Sequence, residues 1–135
     1  VTHNNFLDHV PKKPSRPLLG DSDISKKQEK RVAQKSGGKR QPGSGSCDHS
    51  KGDVKADNIL FECKTTNEKS IRIEKKWLIK ISREASDQQR DPCLVASFPT
   101  MPSGIERDWA ILPMKDLKRL LDKSNEFDQM LLENE

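Results

Sequence analysis

Residues 52–66, Gly-Asp-Val-Lys-Ala-Asp-Asn-Ile-Leu-Phe-Glu-Cys-Lys-Thr-Thr, carry the pattern that decides the fold. From Ile59 to Lys64 the side chains read as a strand with a period of two, so Ile59, Phe61 and Cys63 share one face and Leu60, Glu62 and Lys64 the other. Asp57-Asn58, a pair that tolerates positive φ, predicts a two-residue loop joining Gly52–Ala56 to Ile59–Lys64. With that loop Ala56 faces Ile59, Val54 faces Phe61 and Asp53 falls opposite Glu62. Opposed residues hold their Cβ atoms roughly 4.5–5.5 Å apart, where like charges repel unless something neutralises them. A hard divalent cation does so, because Mg²⁺ is usually held by one or two carboxylates while water and phosphate oxygens complete its shell. Lys64, diagonal to Asp53, is placed to steady a bound water or the phosphate it attacks.

Asp53 followed by Glu62-Cys63-Lys64 resembles the signature of the PD-(D/E)xK nuclease superfamily. Gly52-Asp53-Val54 with Glu62-Cys63-Lys64-Thr65-Thr66 is similar to its small Holliday-junction-resolvase-like and phage members, with Gly where Pro commonly precedes the first Asp. Glu29, within Ser25–Gly38, matches in type and order the further Glu that this family places on a helix before its sheet, and Gly37-Gly38 and Ser44-Gly45 add to the likeness, which spans about residues 25–98. The resemblance implies an α/β fold, a mixed central β-sheet flanked by helices with a restriction-endonuclease-like core, assembled as a homodimer. It also implies a Mg²⁺-dependent endonuclease, with Mn²⁺ as a substitute, that resolves Holliday junctions or other branched DNA. Asp53, Glu62 and a main-chain carbonyl near Cys63 would then bind the metal, Glu29 would assist through a second metal or a water, and Lys64 would position the nucleophile or stabilise negative charge. A nicking, restriction-type or exonuclease activity is the alternative within the superfamily. A non-catalytic nucleic-acid-binding module is the alternative outside it.

Composition is compatible with these readings. At 135 residues, with 31% hydrophobic and 34% charged residues, eight Pro and seven Gly, the chain has material for one domain and a polar extension. The net charge of +4 hides an asymmetry: residues 11–46 carry ten Lys/Arg against three acids, and residues 122–135 five acids against one Lys. A polyanion is expected to meet the first region. Cys47, Cys63 and Cys93 form no Cys-x-x-Cys pair, so neither a zinc site nor a disulfide framework is indicated. No apolar run reaches the ~18 residues of a membrane span, and a reduced cytoplasm, the host's if a phage encodes the chain, is expected.

Outward from the hairpin, residues 1–22, with Pro11, Pro14 and Pro17, read as an extended basic arm, residues 23–123 as the nuclease domain and residues 124–135 as an acidic amphipathic tail. Ser22 or Asp23 is expected to cap a helix that runs to about Lys35 and stops at Gly37-Gly38, with Ile24, Gln28 and Val32 along one stripe and Glu29 on its flank. Lys39 to Ser50 reads as a basic Gly/Ser loop in which Lys39, Arg40, Ser44 and Ser46 are candidate phosphate contacts and Asp48-His49 hints at a proton relay. Ser70–Ile73 is read as a short strand, and Glu74–Ser86 as a helix with Trp77, Leu78, Ile81 and Ala85 inward and Lys76 and Lys80 on a face that could meet DNA. Asp91-Pro92 is expected to break the chain before a central strand, Cys93–Phe98. Asp108–Leu112 follows as another strand, and Pro113 starts a last helix through Lys123. Beyond it, Phe127, Met130 and Leu131 repeat the spacing of Leu117, Leu120 and Leu121, a pattern suited to docking on a second subunit.

Overall fold

The computed structural model describes residues 20–41 and 52–134. In chain order they form α1 (Gly20–Ser36), β1 (Lys39–Arg40), β2 (Val54–Lys55), β3 (Ile59–Thr65), α2 (Lys75–Asp87), β4 (Asp91–Ser97), β5 (Asp108–Ile111) and α3 (Met114–Glu133). The strands make one sheet in the order β1-β2-β3-β4-β5. Neighbours are antiparallel except β3 and β4, whose parallel pairing needs the long crossover that α2 supplies. The expected mixed α/β sheet is therefore present.

The hairpin takes the register that its loop dictates. Val54 faces Phe61 and Lys55 faces Leu60, and the Ala56 N–H donates to Ile59 O at 2.9 Å to close the Asp57-Asn58 turn. The alternation in β3 then feeds two separate cores. On one face Phe61, with Val54, Cys93 and Val95, packs on Val32 of α1, and Ile59, Cys63, Ala33 and Ala56 border the cluster. On the other, Leu60 meets Ile81 and Ala85 of α2. Leu60 is fully buried, so truncating it to Ala would cost roughly 2–5 kcal/mol.

Helix α1 stops where glycine allows it to. Gly37 takes φ +69°, and the Gly38 N–H returns to Ala33 O at 3.0 Å, the reverse turn that satisfies a helix's last carbonyls. At its other end the described part of α1 already takes in Ser22 and Asp23, so they lie within the helix instead of capping it.

Four further differences from the sequence reading have physical causes. Ser70–Ile73 forms no strand, because β3 already has β2 on one side and β4 on the other and offers that segment no ladder. Asp91-Pro92 does not break the chain: β4 starts at Asp91, and Pro92 pairs in register with Leu60. The Asp91 N–H points toward β3, donating to Asn58 O at 2.8 Å. Pro92 nitrogen therefore points to the other side, where β5 reaches only as far as Leu94 and no ladder partner is lost. Leu78 is partly exposed while Ile81 and Ala85 are buried, so α2 lays a narrower stripe on the sheet than its apolar pattern implies. Finally, the last helix does not end at Lys123 but continues unbroken to Glu133, since nothing between Ser124 and Leu132 interrupts it and no Gly or Pro occurs there.

Candidate functional site

The site lies where β2 departs from β3. The Asp53 N–H donates to Phe61 O at 2.8 Å, one residue before the regular ladder begins at Val54. Gly52 turns the chain into this position with φ +79°, and a Cβ there would lie 2.6 Å from Leu60 Cγ, so glycine alone fits without displacement. Main-chain groups of Ile59 and Phe61 point toward β2, and the two-residue period sends those of Cys63 the same way, past the end of the β2 ladder. There the Asp53 carboxylate takes over the role of a strand: Oδ2 accepts the Cys63 N–H at 2.7 Å. This bond fixes Asp53 on the sheet edge beside the Cys63 carbonyl, although the Asp53 residue is only 9% exposed.

Glu62 and Lys64 emerge together on the α2 face, as the strand period requires, with Lys64 Nζ 3.3 Å from Glu62 Oε1. Glu62 is buried, at 5% exposure. Its second partner is Lys80 of α2, whose ammonium lies 3.3 and 3.2 Å from the two carboxylate oxygens. Lys80 also lies 3.7 Å from Glu84, one turn along the helix, and Glu84 Oε2 is buried with no hydrogen-bond partner. Burial disfavours the Lys80 ammonium, yet the Glu62 and Glu84 carboxylates more than offset this and raise its pKa. Lys64 Nζ also sits 4.7 Å above the Trp77 ring, a cation–π contact that holds the lysine between carboxylate and indole. Trp77, which belongs to neither apolar cluster, thus joins the site.

Glu29 approaches from α1. Its carboxylate accepts from Arg40 Nε at 3.1 Å, which ties the first sheet edge to the helix. Burial raises the Glu29 pKa above the usual carboxylate value, and the fields of Asp53 and Glu62 add to this against the opposing bond from Arg40. Burial likewise pushes up the Cys63 thiol, with Asp53, Glu29 and Glu62 adding to the effect. Three acids therefore bear on the Cys63 thiol. They do not form a ready-made cage: among the described residues no group of three or more His, Cys, Asp or Glu is arranged to hold a metal ion. Glu29 is instead paired with Arg40, and Glu62 with two lysines.

Divalent-cation binding can be judged from the remaining donors. Asp53, Glu62 and the Cys63 carbonyl are hard oxygen donors on one hairpin, two of them side chains with little exposure, and they match the one or two carboxylates on which Mg²⁺ relies. Lys64 and Lys80 now supply the positive charge that the carboxylate pattern demands.

A second polar cluster, absent from the sequence reading, braces this one. Gln28 is fully buried, and its Nε2 donates toward Lys64 O at 2.8 Å, Val95 O at 3.1 Å and Ser97 Oγ at 2.7 Å. Ser97 Oγ donates to Asp108 Oδ1 at 2.6 Å. Arg31 grips the same carboxylate through two bonds of 3.0 Å, and Lys35 adds one of 2.9 Å. Burial alone would raise the Asp108 pKa, but Arg31, Ser97 and Lys35 together hold it far below the usual range. The spacing of Gln28, Arg31 and Lys35 along one helix was the available signal; their common target on β5 had none.

Of the other expected contacts, Lys39 is exposed on β1 and Lys76 is exposed and paired with Glu74 at 3.0 Å. Lys76 and Lys80 both line an open groove with Ile79, Arg83, Glu84 and Asp87. Ser44, Ser46, Asp48 and His49, like the arm before Gly20, lie outside the described residues. No described helix is long and apolar enough to cross a membrane. Comparison with protein-family models, with curated proteins and with solved structures found no match to this chain.

Proposed function

We propose that this chain is a Mg²⁺-dependent endonuclease that cuts branched DNA, a Holliday-junction-resolvase-like activity. The observation that carries the reading is that one hairpin bears both Asp53, bound to the Cys63 N–H, and Glu62, flanked by Lys64 and Lys80. Asp53, Glu62 and the Cys63 carbonyl would hold the cation. When bound, the ion supplies an acidified water and a charge that stabilises the crowded phosphate of the transition state. Lys64, kept in place by Trp77 and Glu62, is the residue positioned to bind the attacking water or a non-bridging phosphate oxygen. Glu29, held by Arg40 on the α1 side, would assist through a water or a second metal. Lys76, Lys80 and Arg83 along the neighbouring groove suit a DNA backbone.

A second reading is a nucleic-acid-binding module without cleavage, favoured by the two lysines that already neutralise Glu62. One experiment separates the two. The protein is incubated with a labelled four-way junction and with linear duplex of the same sequence in Mg²⁺, in Ca²⁺ and in chelator. Paired nicks near the branch point in Mg²⁺ alone are expected, and Asp53→Asn or Glu62→Gln should abolish them while DNA binding persists. Equal cutting of linear duplex would assign a general nuclease. Binding without products in every condition, or full activity in either variant, would overturn the proposal.

A further inference from the structure

Lys64 and Lys80 both neutralise Glu62, but they are not held alike. Lys64 lies against the Trp77 ring at 4.7 Å as well as against Glu62. Lys80 reaches Glu62 from α2 at 3.3 and 3.2 Å, yet its side chain is half-exposed and also lines the open groove with Lys76 and Arg83. Glu84, one turn further along α2, lies 3.7 Å from the same ammonium. Its Oε2 is buried and has no hydrogen-bond partner among the described residues. One flexible side chain therefore stands between two carboxylates and a cationic groove.

Where Lys80 rests decides what Glu62 can bind. With Lys80 on it, the buried carboxylate faces two ammonium groups, and a divalent cation has to displace one of them. With Lys80 turned toward Glu84, Lys64 remains on Oε1 and Oε2 is left open. The four-carbon stem makes this a change of rotamer and not of backbone. Phosphates in the groove favour the second position, because Lys76, Lys80 and Arg83 can present their charge there. A cation on Glu62 favours it too. Two ligands that prefer the same state of a two-state element bind cooperatively without touching.

We propose that Lys80 is a substrate-released plug of the cation site: it occupies Glu62 in the free protein, and DNA phosphate in the α2 groove draws it away toward Glu84 and the groove, so that cation affinity rises when DNA is bound. This rests on the reading of Glu62 as a metal ligand and adds that the substrate controls access to it. Two observations are accounted for together, the lack of a ready-made cation cage among the described residues and the second acid beside the lysine. A lysine serving only as a structural ion pair would leave the coupling between the two ligands independent of it.

The test measures both affinities on the full chain, with Ca²⁺ as the cation and a labelled four-way junction as the DNA. Calorimetry follows Ca²⁺ binding to the free protein and to its complex with the junction, with the junction alone as blank, and fluorescence anisotropy gives junction affinity with and without Ca²⁺. In the unaltered chain the junction should raise Ca²⁺ affinity about tenfold, and Ca²⁺ should raise junction affinity by the same factor. In Lys80→Met the free protein should already bind Ca²⁺ more tightly, and the effect of the junction should shrink to about twofold or less. Glu84→Gln removes the second resting place and should weaken Ca²⁺ binding by the free protein about twofold, an effect that disappears when Lys80 is also replaced by Met. Equal coupling in the unaltered and Lys80→Met chains, or a Glu84→Gln effect of the same size with and without Lys80, would overturn the proposal while leaving Glu62 as a metal ligand. Failure of every chain to bind Ca²⁺ would overturn both.

Discussion

Replacing Lys80 with Met should make the protein a better metal binder. Glu62 is 5% exposed, and Lys80 Nζ lies 3.2 Å from its Oε2, so the ammonium stands in the position where a cation would be attracted. Unit charges at that distance attract by about 5 kcal/mol at an effective dielectric of ~20. The Lys80 side chain is 51% exposed, and solvent screening reduces the useful part to about 1–2 kcal/mol. Removing this competitor should therefore tighten Mg²⁺ or Ca²⁺ binding about tenfold, and should lower metal-free stability by about 1–2 kcal/mol, a loss that added Mg²⁺ reverses. Trp77, stacked under Lys64, supplies the assay, since its fluorescence can be titrated with metal in a Trp109→Phe background. Thermal melts with and without Mg²⁺ provide the second readout. A folded Lys80→Met protein whose metal affinity is unchanged or weaker would refute the argument that this lysine and the metal share one carboxylate.

Three further outcomes follow from particular contacts. Gly52→Ala places a Cβ 2.6 Å from the buried Leu60 at φ +79°, so thermal or urea unfolding should report a loss of about 2–4 kcal/mol; a neutral result would disprove the close approach. Asp108 has a depressed pKa, so its contribution is complete above the unfolded carboxylate value of about 3.9 and is lost as pH falls below it. Stability measured from pH 5 downward should accordingly fall less steeply in Asp108→Asn than in the unaltered chain, and parallel profiles would count against the network. Gln28→Leu removes the shared donor to Lys64 O, Val95 O and Ser97 Oγ and should cost about 2–4 kcal/mol by denaturant unfolding; a change within error would show that this buried amide does not hold α1 to the sheet.

The hairpin was legible because strand alternation and a two-residue loop leave one register, and that register fixed which side chains of β3 would share a face. Glu62 beside Lys64 and Asp53 beside β3 follow from counting residues. What counting could not supply was tertiary. Lys80 read as a residue facing DNA because α2 alone does not reveal that Glu62 rises toward it from the sheet. Asp108 and Ser97 meet through antiparallel pairing of β4 with β5, and only the docking of α1 adds Arg31. Pro92 misled for a local reason, since a missing donor matters only where an acceptor strand lies opposite.

The two-residue lengths of β1 and β2 have a consequence for how the molecule opens. Amide exchange in such an edge ribbon is expected to run ahead of that in the seven-residue β3 and β4 at the centre. Asp53 is anchored in this ribbon while Glu62 is rooted in the seven-residue β3. The two carboxylates are thus held by stretches expected to open separately, so that fraying of a few residues at the rim would part them while the centre of the sheet stays folded.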